Sequence, residues 1–278
     1  MSSNSGRSLR SGLLYACLVG GVILMLVPIF WTFTTSFKTP AEITVVPPPI
    51  LPASFLNLEN YVRVFERLHF GRLLWNTFSM CAVVLTASIL FASMTGYGFA
   101  KFKFPGKELA FFAIVGVLMV PFQSVAVPLF RWMDRMALVD TFLGLVLPLM
   151  ISAFGVLLMR EAASTIPNDY IEAARIDGCS EPRIFFQVIM PMMKPTIAAL
   201  AIIKFMWTWN EFFWPLLIIM TPTKAVVTLG LSYLTNMYFR EYHLITAAAV
   251  MSLLPLFVLF AILRQWMVEA LTGSGLKA

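Results

Sequence analysis

Two stretches of this 278-residue chain carry residue types suited to specific work. The first, residues 172–191, reads EAARIDGCSEPRIFFQVIMP and stands between two long apolar runs. Asn168 suits a helix N-cap, and Asp169 puts a negative charge in the first turn, where the helix dipole favours it. Glu172 and Arg175 are three apart, on one helix face, and can pair. Gly178 supplies a C-terminal stop. Ser180 can cap a second helix with Pro182 in its first turn, where a missing N–H costs nothing. Ile184, Phe185, Val188, Ile189 and Met192 then follow helical apolar spacing, with Arg183 and Gln187 opposite, until Pro191 and Pro195 close the element. The pattern predicts a helix–turn–helix on a membrane surface. Small Ala173 and Ala174 stand at its tip beside the charged Glu172, and Gly178 makes the turn after Asp177 tight. A helix merely resting on lipid headgroups would need only basic and apolar residues.

The second stretch, residues 204–220, reads KFMWTWNEFFWPLLIIM. A carboxylate beside an amide is expensive in an apolar segment, so Asn210 and Glu211 should face a bundle interior or water. Rings such as Trp209 can stack on flat ligand faces while Asn210 and Glu211 hydrogen-bond hydroxyls. The alternative is an interfacial aromatic belt with Glu211 at headgroup level, since it lies roughly 22 Å along from Thr196. Lys204 can snorkel toward the nearer surface. No glycine-rich phosphate loop, acid pair or Ser/His arrangement is present, so no catalytic residue is expected. Cys17 and Cys81 sit in apolar runs and Cys179 in the polar loop, without metal-ligand or disulfide spacing.

The elements that must hold these stretches are membrane spans. The chain is 59% hydrophobic and 12% charged, with a mean hydropathy of +0.84. A soluble domain carries about 25% charged residues. The net charge of +6 fits lysines and arginines facing anionic lipid and calls for no nucleic acid. The fold class expected is an all-α integral membrane protein of about six transmembrane helices: 13–37, 73–100, 109–130, 141–159, 196–220 and 243–267. The first run is too long for a signal-peptide core and lacks a cleavage site. Residues 1–12 and 268–278 become tails, 13–267 the six-span domain, 38–72 an external loop and 160–195 the polar loop. The short 101–107 loop, with three lysines, puts the termini and the polar loop in the cytosol. Pro28, Pro121, Pro128, Pro148, Pro215 and Pro255 lie inside spans and predict kinks.

EAA with a glycine four residues after its second alanine, followed by Ile and Pro, resembles the EAA loop of bacterial ABC importer permeases. IPNDYIEAARIDG through VIMP is similar to the carbohydrate-importer branch, of which maltose permeases are an example. FKTPAEI, LENY, VPFQSVAVPLF, MALVDTFLGLVLP, WNEFFWPL and the TGSGLKA tail extend the resemblance over essentially the whole chain. Cys179 departs from the usual alanine, and Lys277-Ala278 from Lys-Gly. The resemblance implies a type I importer permease of the bacterial inner membrane, multi-pass, with both termini cytosolic. Glu172, Ala173, Ala174, Asp177, Gly178 and Pro191 would form a coupling helix seated in a cytosolic ATPase. ATP and Mg would be bound there and not on this chain. It further implies a second homologous permease, two ABC ATPases and an external solute-binding protein. The solute would be a sugar, with Trp209, Asn210 and Glu211 on its pathway. Alternatives are a polyol or glycerol-phosphate-like solute. A secondary transporter would need two inverted halves, against which the single EAA loop argues.

Overall fold

The computed structural model describes residues 3–235 and 241–273, which are helical throughout apart from turns and connectors. The TGSGLKA tail lies largely outside the described residues. The chain divides into two compact units, one of the residues up to Phe70 with Leu231–Leu254, the other of Gly71–Gly230 with the residues from Pro255.

In the first unit, α1 (Ser3–Thr35) accommodates Pro28, and the Thr32 hydroxyl donates to the Pro28 carbonyl at 2.9 Å. Its apolar stretch Leu14–Thr35 is long enough to span, and its most apolar window has no buried residue. The following connector is fastened by polar side chains. α2 (Pro40–Thr44) opens with a capping box, Thr39 and Glu42 each accepting from the other's backbone N–H. α3 (Glu59–Arg67) delivers buried Asn60, whose amide donates to the Ser36 and Lys38 carbonyls at 2.8 Å each. Tyr61 hydroxyl meets Ser36 hydroxyl at 2.6 Å. These bonds explain why FKT and LENY occur in one chain: the second segment clamps the first.

The second unit is built around α4 (Phe70–Lys101), 32 residues and about 48 Å long. After a turn at Gly106 (φ +77°) come α5 (Lys107–Val117) and α6 (Phe122–Arg135), which meet at 100°. α7 (Phe142–Val146) continues through a 3₁₀ turn, Leu147–Leu149, to α8 (Ala153–Ser164) with a 46° bend. α9 (Asp169–Ile176) and α10 (Glu181–Ile184) form the polar loop. A π segment, Phe185–Ile189, leads into α11 (Met190–Met192), and α12 (Lys194–Trp209) departs at 79°. α13 (Phe213–Ile218), α14 (Val227–Thr235) and α15 (Tyr242–Gly273) complete the order.

The expected spans 109–130, 141–159 and 196–220 are therefore broken and not continuous. Proline accounts for where. A continued helix would drive the ring into the carbonyl four residues earlier, so the chain breaks and restarts with proline in a first turn or at its cap. Pro121 precedes α6, Pro148 lies in the 3₁₀ turn and Pro215 in the first turn of α13. The carbonyls four residues before two of these prolines find new donors. Gly144 accepts from Trp214 Nε1 at 3.1 Å, and Glu211 from the Thr228 hydroxyl at 2.6 Å. Ser88 of α4 donates to the Met150 carbonyl beside the second bend at 2.7 Å.

α4 lies backbone-close to α8. A Cβ on Gly96 would stand 2.6 Å from Arg160 N and 2.7 Å from the Met159 carbonyl carbon, while one on Gly98 would meet nothing. Gly96→Leu should destabilise the purified protein by about 1–3 kcal/mol, and Gly98→Ala should be neutral or slightly stabilising. Thermal unfolding in detergent by tryptophan fluorescence separates the two.

Asp140 (φ +55°) holds the turn after α13. Its carboxylate accepts Met220 N–H and Thr221 N–H at 2.9 Å, the Thr221 hydroxyl at 2.6 Å and Lys224 Nζ at 2.8 Å. The Lys224 contact first, then Thr221, keep its carboxyl far below the ordinary range. A depressed folded pKa stabilises fully above the unfolded value and is lost only as pH falls through the lower one. The melting temperature of Asp140→Asn should thus lie below wild type by a constant margin from pH 8 to pH 5. The two should converge only in strong acid.

Candidate functional site

The polar loop is two-faced. On α9, Ile171 and Ala174 turn inward and join Ile184, Phe185, Ile189 and Met193 in one apolar cluster with Met159 and Ala163 of α8. Tyr170, Glu172, Ala173, Ile176 and Asp177 face outward, and Ile176 is 87% exposed. The two alanines expected side by side at a contact are therefore split: Ala174 packs into this chain, and Ala173 stays free for another surface. The reason is helical geometry, since adjacent residues point about 100° apart.

The turn follows the glycine expectation. Cys179 N–H donates to the Ala174 carbonyl at 2.9 Å and Gly178 N–H to Arg175 at 3.0 Å, with Gly178 at φ +78°. This is a Schellman ending, and Cys179 and Ala174 share the apolar cluster, as its hydrophobic contact requires. Other local expectations are corrected. Arg175 Nε pairs with Glu181 Oε1 at 2.7 Å across the turn and not with Glu172. Glu181 first, with smaller contributions from Tyr97 and Glu172, raises the Arg175 guanidinium above its already high value. Asn168 and Ser180 occupy the N-cap positions without side-chain capping bonds. Asn168 Oδ1 instead accepts from Lys101 Nζ at 3.0 Å, and the same ammonium donates to the Ile166 carbonyl. The end of α4 thus grips the root of the loop. Pro191 does not stop the second helix. The π turn before it widens the backbone, where Met190 N–H bonds to Phe185 O, and the chain stays helical to Met192.

The second stretch does not assemble into one site. Trp209 is 2% exposed, stacked on Phe205 at 5.5 Å and edge-on to Phe78 at 5.0 Å. Asn210 is exposed and donates to the Met206 carbonyl at 2.8 Å. Glu211 Oε1 accepts Trp214 N–H at 3.0 Å, satisfying a donor at the start of α13. Lys204 is buried and does not reach a surface of this chain. The residue that the pattern WTWNEF hides is Trp207. It is 52% exposed, edge-on to Phe154 at 5.4 Å, and lines a cavity of about 490 Å³ with Val117, Phe122 and Ser152. Two residues apart on a helix means about 200° apart, so Trp207 and Trp209 cannot share a face. Only the bends after α5 and α7 bring the other walls of the cavity to it.

The family of binding-protein-dependent transport system inner membrane components matches residues 86–272, and the chain belongs to it. Its fold is that of an ABC importer permease, a transport subunit of the membrane. It is 33% identical over 233 residues to the arabinooligosaccharides transport system permease protein AraQ of Halalkalibacterium halodurans, 82% of each chain. Identity is 29% to the lactose transport system permease protein LacG of Rhizobium radiobacter, over 94% of each. It is 30% to the sn-glycerol-3-phosphate transport system permease protein UgpE of Brucella abortus, over 92% of this chain and 94% of that one. The crystal structure of a bacterial ABC transporter involved in import of the acidic polysaccharide alginate shares the fold. Its TM-score is 0.82 at 23% identity, covering 95% of this chain and 98% of that one.

A Cβ at Gly178 would meet no neighbour, so only backbone strain opposes substitution. Gly178→Val should cost about 1–2 kcal/mol, while Gly178→Asn, which tolerates the left-handed region, should cost a fraction of that. Melting temperatures of the purified variants give the order.

Proposed function

We propose that this chain is the sugar-translocating permease of an ATP-driven, binding-protein-dependent importer. Six crossings would place both termini and the α9–α10 loop in the cytosol. One observation carries the reading: the loop buries Ile171, Ala174 and Ile184 in its own unit while presenting Ala173, Asp177 and the bare Ile176 outward. Such a face fits a socket on a second protein, here one of two cytosolic ABC ATPases that bind ATP and Mg. Glu172 would set the register by charge, and Gly178 and Pro191 shape the backbone behind the contact. A homologous second permease would complete the pathway, and an external solute-binding protein would deliver the solute.

Sugar as solute is supported by two relatives whose names specify arabinooligosaccharides and lactose. A glycerol-phosphate-like solute is supported by a third. Trp207, exposed, and Phe154, half-buried beside it, offer aromatic surface of the kind that packs on sugar rings. Asn210 remains available to hydroxyls, whereas Trp209 supports the fold around it and Glu211 holds α13.

Reporter fusions after Lys107 and Lys194 should read as cytosolic, and one near residue 55 as external. With the full complex in liposomes, labelled lactose, arabinotriose and glycerol 3-phosphate should be compared for ATP-dependent uptake. Trp207→Ala should depress uptake or change its selectivity at normal protein level. Trp209→Ala should lower the amount of folded protein, by about 3–5 kcal/mol of stability. Absence of ATP-dependent uptake of all three solutes, or an external signal after Lys194, would overturn this reading.

A further inference from the structure

The end of α4 meets the loop at two places one helical turn apart. Lys101 is engaged there, bonded to the Ile166 carbonyl and Asn168. Tyr97, four residues earlier on the same face, is idle. Its ring is 5% exposed and held between Phe102 at 5.4 Å and Phe185 of the π segment at 5.7 Å, yet its hydroxyl has no hydrogen-bond partner among the described residues. Across from it, Glu181 uses Oε1 for Arg175 at 2.7 Å, while Oε2 is buried and, among the described residues, also without a partner. A buried donor and a buried acceptor thus stand unused on two elements that touch through Phe185. Buried polar atoms are ordinarily paired, and an exception calls for a reason. A π segment directly after α10 points to one, because such turns are rare and recur at functional sites.

Building on the coupling reading above, we propose that Tyr97 is a positioning residue whose hydroxyl donates to Glu181 Oε2 in the alternative state of the transport cycle. In the present state Glu181 is tied to Arg175 alone. When the loop is displaced, Tyr97 closes on the free oxygen and holds the second helix in its new place. Lys101 keeps the root of the loop attached throughout. The arrangement is a two-position catch between α4 and the loop, made of one hydroxyl and one carboxylate.

Tyr97→Phe removes the hydroxyl and keeps the ring, so the packing against Phe102 and Phe185 survives. The assembled complex in liposomes is assayed for phosphate release with increasing binding protein, loaded with whichever test sugar the wild type imports. Tyr97→Phe should lower the stimulated kcat several-fold and leave the binding-protein KM unchanged. Glu181→Ala should do the same, and the double variant should be no worse than Glu181→Ala. Glu181→Gln, whose NH2 can donate to the tyrosine oxygen while its carbonyl keeps Arg175, should retain sensitivity to Tyr97→Phe. As a second measurement, Tyr97→Cys with Glu181→Cys, in a background with Cys17, Cys81 and Cys179 changed to Ser, should cross-link more when ATP and vanadate trap the complex. A wild-type kcat in Tyr97→Phe, additive effects in the double variant, or cross-linking indifferent to trapping overturns the catch and leaves the importer reading standing. A wild-type complex that binding protein does not stimulate overturns both.

Discussion

Backbone polar groups have no water to turn to inside a bilayer, and that constraint governs how this chain is assembled. Three of its crossings are broken by proline or near it, and a break exposes carbonyls and amides that an unbroken helix would satisfy. The structure answers them with side chains from distant positions. Trp214 donates to Gly144, Thr228 to Glu211, Ser88 to Met150, and Thr77 accepts the Val227 N–H that begins α14. Asn76 closes the Thr223 and Ala225 carbonyls in the same way. Three of these five residues lie on α4, an unbroken helix of 32 residues, which serves as the post to which the bent segments are tied.

The same post governs the loop. Close approach of α4 to α8 at Gly96 puts Lys101 and Tyr97 within reach of residues 166–185. The loop is therefore not a free hairpin. Its inner face belongs to the apolar cluster of the unit, its root is fixed by an ammonium, and only its outer face is uncommitted. Behind Ile176 and Ala173, the Arg175–Glu181 pair joins α9 to α10, and Phe185 just after α10 packs on Tyr97.

Much of this was legible in the sequence because it depends on local chemistry. The Gly178 turn follows from a glycine at the end of an apolar periodic stretch, and the structure shows the Schellman bonds that such a glycine permits. The membrane class follows from composition alone. What the sequence concealed depends on partners far away along the chain. Nothing near Ala173 and Ala174 reveals which one the core takes. The Glu172–Arg175 spacing was permissive, but Glu181 across the turn offered better geometry. Trp209, Asn210 and Glu211 read as one cluster in a line of text, and a helix that ends at Trp209 sends them to different tasks. Proline positions predicted bends, yet not that a tryptophan 70 residues onward would answer the second one.

That last bond has a consequence for the order of events at the ribosome. Gly144 leaves the synthesis machinery 70 residues before Trp214. At 5–20 residues per second this interval is roughly 4–14 s. Throughout it the bent segment 142–164 carries a carbonyl whose donor has not yet been made. Water or another polar group must serve that carbonyl until α13 is made, so the late element α13 is what lets the earlier bend become dry.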